Sequence, residues 1–290
     1  MSAVTASNLF SVKDMVFVVT GGGTGIGEMM AHALDVNGAK KVFILGRRQD
    51  KLDTVAAAAA NKSIVAVACD VSSQEDLSRA VDLIATQTPF VNVVLANHGA
   101  TGPTIDDLPR DHQMSAAEVR DFFWKTPMAD FTDTYAVNCS SVFYCYMGFL
   151  KLLAAGNALD ESPTKALGID SQFIVTSSIG GFSRIPGMGY AYSTSKAGVM
   201  HMVKMLACNF AHLHIRVNCI APGIYPSAMS NQFLSRTENI AQSVVPLERI
   251  GTPEDVAGVT LFLCSRSGAY INGNIVITDG GRLSMIPATY

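Results

Sequence analysis

The passage from Val16 to Gly27 constrains the fold of this chain more than any other. Val16-Phe-Val-Val-Thr20 is a short, β-branched and aromatic run of the kind that forms a strand buried on both faces. It leads without a break into Gly21-Gly-Gly-Thr24-Gly25-Ile26-Gly27, and a helical pattern follows over Ile26–Asn37. Glycines at such a point let the backbone turn sharply and approach a diphosphate, whose charge is stabilised by the free N–H groups of a helix N-terminus. Glycines also make ordinary turns. Placed between a first strand and a first helix, however, the run lies where a dinucleotide binds.

The rest of the chain repeats the alternation. Strand-like runs are Met15–Val19, Val42–Leu45, Ile64–Ala68, Val91–Ala96, Phe173–Thr176, Ile215–Ile220 and Asn274–Thr278. Helical patterns lie between them over Ile26–Asn37, Asp50–Ala60, Gln74–Thr86, Phe131–Ala154, Ala191–Leu213 and Pro253–Leu263. The expected fold is α/β: a doubly wound, Rossmann-type parallel sheet of about seven strands with helices on both faces. One domain over 1–290 suffices, with insertions near 101–130 and 155–171. Connections of that length are usually functional or disordered. The first carries Phe122-Phe123-Trp124 and is expected to pack near a ligand mouth or a subunit contact; the second reads as a surface insertion.

Composition narrows the function. With 49% hydrophobic and 16% charged residues, a large core can be built. A net charge of -3 and no Lys/Arg-dense stripe speak against nucleic acid. No stretch reads as about 18 continuous apolar residues, so no membrane span is expected. Neither a secretory nor a transit pattern opens the chain. The six cysteines are dispersed, with no Cys-x-x-Cys and no His at metal spacing. A reducing, cytoplasmic location without a structural metal follows as the expectation.

The spacing Thr-Gly-x-x-x-Gly-x-Gly resembles the motif of the short-chain dehydrogenase/reductase family, and the resemblance runs from about Ser11 to Gly281. It implies a nicotinamide dinucleotide cradled by Gly21, Thr24, Gly25, Ile26 and Gly27. The second strand ends Gly46-Arg47-Arg48, where an NAD enzyme needs an acidic residue for the ribose 2′-OH. Two guanidiniums suit a 2′-phosphate instead, so Arg47 and Arg48 favour NADP(H). Thr24 departs from the Arg or Lys that many NADP-preferring members carry there. By resemblance, Asp70-Val71 touches the adenine, and Asn97 and Gly99 belong to the Asn-Asn-Ala-Gly motif. His98 replaces that motif's Ala, and the expectation is that it fills space rather than titrates.

Tyr192 and Lys196 stand four residues apart on a helix, hence on one face. Reduction of a carbonyl needs a proton donor for oxygen as hydride reaches carbon, and a free phenol has a pKa near 10. Lys196⁺, together with the positive nicotinamide of an oxidised cofactor, is expected to depress it. Ser178 ends a strand at the ligand edge of the sheet, where it can hydrogen-bond a substrate oxygen. By resemblance, Asn138 supports Lys196 through a water, completing a catalytic set of Asn138, Ser178, Tyr192 and Lys196. The resemblance also places Tyr192 and Lys196 against the cofactor, Lys196 holding the nicotinamide ribose, and assigns the carboxamide to backbone at Gly223 and Ile224 and a phosphate contact to Ser227. Tyr190 has no Lys four residues on and reads as pocket lining. Phe182, Ile185, Met188, Tyr225, Met229 and Phe233 are further lid candidates. Arg249 to Asp255 and Tyr270 to Gly281 match closing motifs that serve fold and packing.

The implied activity is an NADPH-dependent, reversible ketoreductase acting on a small-molecule ketone or secondary alcohol. The aromatic insertion and the Pro226-Ser227-Ala-Met segment look similar to fungal NADP-dependent members associated with secondary metabolism. A polyketide-like or cyclic ketone is therefore expected first and a 3-oxoacyl thioester second. Two rivals stand below this: a non-redox cofactor-binding regulator or scaffold, which would be expected to lose Tyr or Lys, and an enzyme of epimerisation or dehydration. Family analogy for the small, apolar helix Ala191–Leu213 implies a homodimer or homotetramer.

Overall fold

The computed structural model describes residues 4–109, 113–227, 242 and 244–289. Seven parallel strands form one sheet: β1 (Val16–Thr20), β2 (Lys41–Gly46), β3 (Ile64–Ala68), β4 (Val93–Ala96), β5 (Gln172–Thr176), β6 (Arg216–Pro222) and β7 (Ile275–Thr278). Their order is β3-β2-β1-β4-β5-β6-β7. The strand bounds lie within two residues of those read from sequence. Strand β1 pairs with β2 on one side and β4 on the other, Thr20 lying opposite both Leu45 and Ala96. The order reverses there, which opens a crevice beyond the carboxyl ends of the strands.

The helices are α1 (Ala6–Leu9), α2 (Gly25–Val36), α3 (Gln49–Ala57), α4 (Gln74–Ala85), α5 (Ala116–Trp124), α6 (Met128–Tyr135), α7 (Ser141–Ala158), α8 (Pro163–Leu167), α9 (Tyr190–Asn209) and α10 (Pro253–Cys264). Successive strand side chains point to opposite faces. Val16 and Val18 accordingly join a core with Leu77 of α4, Tyr146 and Phe149 of α7 and Val199 and Val203 of α9. Phe17 and Val19 join the other, with Met30 and Leu34 of α2, Leu52 of α3 and Val256 of α10.

Both insertions differ from the sequence reading. The first contains α5, whose start is a capping box: the Ser115 N–H donates to Glu118 Oε2 (2.8 Å) and the Glu118 N–H to Ser115 Oγ (3.3 Å). The second is no mere surface insertion. Ser162 and Thr164 are buried and meet Asn92 Nδ2 at 2.9 and 3.0 Å, while Asn92 Oδ1 accepts the Val16 N–H at 2.8 Å. A buried amide must be satisfied, and this segment supplies the hydroxyls. The helix expected over Phe131–Ala154 spans Met128–Ala158 and includes an 18-residue window of mean hydropathy 1.3, long and apolar enough by composition to cross a membrane. Its α7 part buries Cys145, Tyr146, Phe149 and Leu153 against the sheet.

Candidate active site

The glycine run turns at the end of β1. Gly21 (φ 65°) and Gly25 (φ 60°) occupy the left-handed region, which glycine adopts without steric cost. A Cβ on Gly27 would stand 2.3 Å from Gly21 O and 2.5 Å from Asn97 Nδ2, so α2 approaches the turn as closely as only glycine allows. Thr24 is the extended N-cap of α2 and makes no side-chain cap bond. The helix N-terminus therefore presents N–H groups and a positive dipole end towards the crevice, which fits a diphosphate. Asn97 ties the cradle to β4 through Nδ2 to Gly21 O (3.4 Å), and Ser227 stands over the turn, 3.1 Å from where a Gly25 Cβ would be. Gly27→Ala is expected to cost about 1–3 kcal/mol of stability through overpacking and to weaken dinucleotide binding. Denaturant unfolding and a cofactor titration measure the two effects.

Arg47 and Arg48 are exposed at the end of β2, and Arg48 is the N-cap of α3. Asp70 lies close to Arg47; its carboxyl is held below its ordinary value chiefly by the Ser72 hydroxyl, with burial opposing and Arg47 assisting. Ser72 Oγ donates to Asp70 Oδ1 at 2.5 Å. Val71 packs against the core. Of the side chains expected at the adenosine end, Arg47 and Asp70 are thus close enough to interact. Gly223 is enclosed: its N–H donates to Thr278 O (2.9 Å), and a Cβ would come within 2.8 Å of Asp279. Ile224 O accepts the Gly251 N–H at 2.9 Å.

Asn138, Tyr192 and Lys196 are buried, at 1%, 8% and 4% exposure. Ser178 follows β5, where its Oγ accepts the Gly180 N–H at 3.0 Å and hydrogen-bonds the Tyr192 phenol. Lys196 Nζ donates to Thr176 O (2.9 Å) and sits 5.8 Å from the Tyr192 ring centroid. Burial lowers the Lys196 ammonium to about 8, with Cys219 and Cys139 opposing. Asn138 Oδ1 accepts the Ala100 N–H (2.8 Å), and its Nδ2 donates to Ala100 O and Ser195 Oγ (both 2.9 Å). Gly99 fits between them, since a Cβ there would lie 3.3 Å from both Asn138 Oδ1 and Lys196 Nζ. Within the protein itself, burial raises the Tyr192 pKa, and the Ser178 hydrogen bond only partly opposes it.

His98 is buried and hydrogen-bonded at both ring nitrogens, Nδ1 to Thr20 Oγ1 and Nε2 to Ser141 Oγ, each at 2.6 Å. Burial, assisted by Lys196 and opposed by Asp70, lowers it to about 3, so it is neutral near pH 7. Thr20, Ser141 and Ser195 did not stand out in the sequence as parts of this network. Serine and threonine next to motifs are common, and only the fold shows their partners.

The aromatic insertion lies against the start of α9. Gly189 (φ 103°) leaves no room for a Cβ, which would meet Pro103 O at 2.2 Å, and the Tyr190 ring packs edge-on against Phe123 at 5.5 Å. Of the lid candidates, Ile185 and Tyr190 are exposed. Phe182 and Met188 are half-buried, Phe182 against the core, and Tyr225 is buried beneath Gly251, which takes it out of the surface. Met229 and Phe233 lie outside the described residues.

The fold is that of the dinucleotide-dependent dehydrogenases and reductases, and Ser178, Tyr192 and Lys196 stand together within it. Residues 21–282 match the family model described as Enoyl-(Acyl carrier protein) reductase. The chain is 41% identical over 294 residues to the short-chain dehydrogenase/reductase PhomF of Diaporthe leptostromiformis, covering 99% of this chain and 98% of that one. It is 30% identical over 276 residues to the rhamnolipids biosynthesis 3-oxoacyl-[acyl-carrier-protein] reductase of Pseudomonas aeruginosa, covering 94% and 97% of the two chains. Among solved structures, the Pseudomonas aeruginosa RhlG/NADP active-site complex superposes with a TM-score of 0.77 at 27% identity, over 94% of this chain and 98% of that one. The chain belongs to the short-chain dehydrogenase/reductase family.

Proposed function

We propose that this enzyme is an NADPH-dependent ketoreductase that interconverts a ketone and a secondary alcohol, with a polyketide-like or cyclic secondary metabolite as substrate. The observation that carries the reaction is the convergence of Ser178, Tyr192 and Lys196 at the carboxyl edge of the sheet, with burial keeping the phenol protonated. A reductase needs that proton. Ser178, fixed by the Gly180 N–H, orients a carbonyl oxygen, and Tyr192 gives it the proton as charge develops. Lys196, anchored on Thr176 O, holds the nicotinamide ribose and, with Asn138, restores the phenol. When bound, the nicotinamide supplies or takes up the hydride. Gly21, Thr24, Gly25, Ile26, Gly27, Asn97, Gly99, Gly223, Ile224 and Ser227 hold the cofactor, and Asp70 and Val71 flank its adenine.

NADPH rather than NADH is supported by Gly46 standing where a carboxylate would be needed and by exposed Arg47 and Arg48 beyond it. The Pseudomonas aeruginosa relative was solved as an NADP complex. All six cysteines are free, which suits a cytoplasmic enzyme. Exposed Phe143 and Tyr144 on α7 and Met205 on α9 suit subunit contacts of a homodimer or homotetramer.

A carbonyl panel of cyclic ketones and 3-oxoacyl thioesters, followed by cofactor absorbance with NADPH and NADH, tests the proposal. NADPH is expected to be oxidised and preferred. Arg47→Ala with Arg48→Ala is expected to raise KM for NADPH by about ten- to a hundredfold, the loss of one or two charge-assisted bonds, while KM for NADH stays near its starting value. Tight NADPH binding without oxidation across the panel would favour a non-redox role instead.

A further inference from the structure

The helix running from α6 into α7 widens to a π-turn over Ala136–Ser140, and Asn138 sits on it. A π-turn shifts the N–H ladder by one residue. The Ser141 N–H goes to Ala136 O, five residues back, whereas an α-helix would give it to Val137 O. Val137 O receives the Ser141 side-chain hydroxyl instead, at 2.5 Å. The acceptor displaced by the widened turn is therefore met by the side chain of the residue whose N–H was redirected.

A hydroxyl rotates and has one hydrogen to give. With that hydrogen on Val137 O, the contact from His98 Nε2 to Ser141 Oγ can be made only by the imidazole donating. His98 Nδ1 is then an acceptor, and Thr20 Oγ1 donates to it. Thr20 Oγ1 in turn accepts the backbone N–H groups of Asn97 (3.0 Å) and His98 (3.3 Å). Thr20 Oγ1 also stands 3.5 Å from Leu95 O, but its one hydrogen goes to the much shorter 2.6 Å contact with Nδ1, and one tautomer then serves every short contact of the network. The chain of donors runs from the end of β1 through Thr20, His98 and Ser141 to the turn that bears Asn138. On its far side, Asn138 reaches both Ala100 and Ser195, the residue before Lys196.

We infer that His98 is a positioning residue for Asn138: its Nε2–H holds the Ser141 hydroxyl on Val137 O and so fixes the π-turn that aims the Asn138 amide. This rests on the proposal that Asn138 works with Lys196 and Tyr192 in carbonyl reduction. A geometric shift of the amide leaves the cofactor cradle in place, so the cost falls on kcat rather than on cofactor KM.

Substitutions of different reach test it. In His98→Gln the amide nitrogen can stand where Nε2 stands and donate to Ser141. In His98→Asn the shorter amide reaches Thr20 only, and His98→Ala makes neither contact. His98→Gln is expected to retain the parental kcat for ketone reduction. His98→Asn and His98→Ala are expected to lose about ten- to a hundredfold, as misplacement of a catalytic group does, with KM for NADPH unchanged. Ser141→Ala should lose as much as His98→Ala, and the double variant no more, because both act through one turn; this comparison also serves if His98→Ala folds poorly. The imidazole ¹⁵N spectrum at neutral pH should show the Nε2–H tautomer, whether or not a ketone is reduced. An Nδ1–H tautomer overturns the inference. So do equal kcat values for His98→Asn and His98→Gln, or additive losses in the double variant. If the parent reduces no ketone, the failure belongs to the functional proposal, and the tautomer still decides the geometry.

Discussion

Replacing Tyr192 by Phe is expected to lower kcat for carbonyl reduction by about 10²–10⁴-fold, the usual contribution of a positioned acid, and to leave cofactor affinity intact. The substitution removes one oxygen. The ring stays buried beside Lys196, so packing is preserved and the loss reports the proton donor together with its hydrogen bond to Ser178. The direction of the phenol's shift matters here. Burial raises its pKa, Ser178 partly offsets this, and a protonated Tyr192 at neutral pH is the form that reduction consumes. Oxidation of an alcohol needs the ionised form, so the reductive direction should persist at neutral pH where the oxidative one needs more alkaline solution. Steady-state rates with a responsive ketone, together with a fluorescence titration of bound NADPH, separate the two parameters. Turnover within about tenfold of the parent, far smaller than an acid's usual contribution, would remove Tyr192 from the role of donor.

The sheet was legible because strands buried on both faces are read from continuous apolar runs, as at Val16–Thr20, and even the edge strand Ile64–Ala68, only partly buried, keeps such a run. The glycine cradle was legible for the same local reason: a positive φ and a close approach both need glycine. Residues 101–130 read as an aromatic insertion without a helix of its own although Ser115-Ala-Ala-Glu118 is a helix-start signal; the prolines around it masked a helix with no buried residue. The π-turn left no trace, since inserting one residue hardly alters the apolar pattern of Met128–Ala158. The sign of the Tyr192 shift could not be read either. Lys196 and an oxidised nicotinamide are the charges that favour depression, whereas the opposing desolvation depends on how many other elements close over the phenol. The expected space-filling role of His98 missed its two hydrogen bonds, both to residues far away in sequence.

That buried imidazole also makes stability fall in mild acid, with a size that can be stated. His98 is held neutral down to about 3 by burial, with Lys196 adding to the effect and Asp70 opposing it, against an ordinary value of 6.5. Above 6.5 neither the folded nor the unfolded chain protonates this ring, and its contribution to stability is complete. Below 6.5 the unfolded chain takes up a proton that the folded chain refuses, so stability is lost progressively as pH falls towards 3. The slope approaches about 1.4 kcal/mol per pH unit, a large share of a typical stability of about 5–15 kcal/mol. Lys196, with its value near 8, stays protonated in both states throughout this window and adds no slope. The carboxylates whose values are lowered, Asp35, Asp70, Asp160, Glu254 and Asp255, begin from ordinary values of 3.8 or 4.5 and act at lower pH. Urea unfolding midpoints of the parent should therefore fall between pH 6.5 and 5, and those of His98→Gln, which keeps the donor but cannot titrate, should fall less. Parallel losses in the two proteins would mean that the imidazole takes up its proton in the folded state, and with it that the ring is not locked between Thr20 and Ser141.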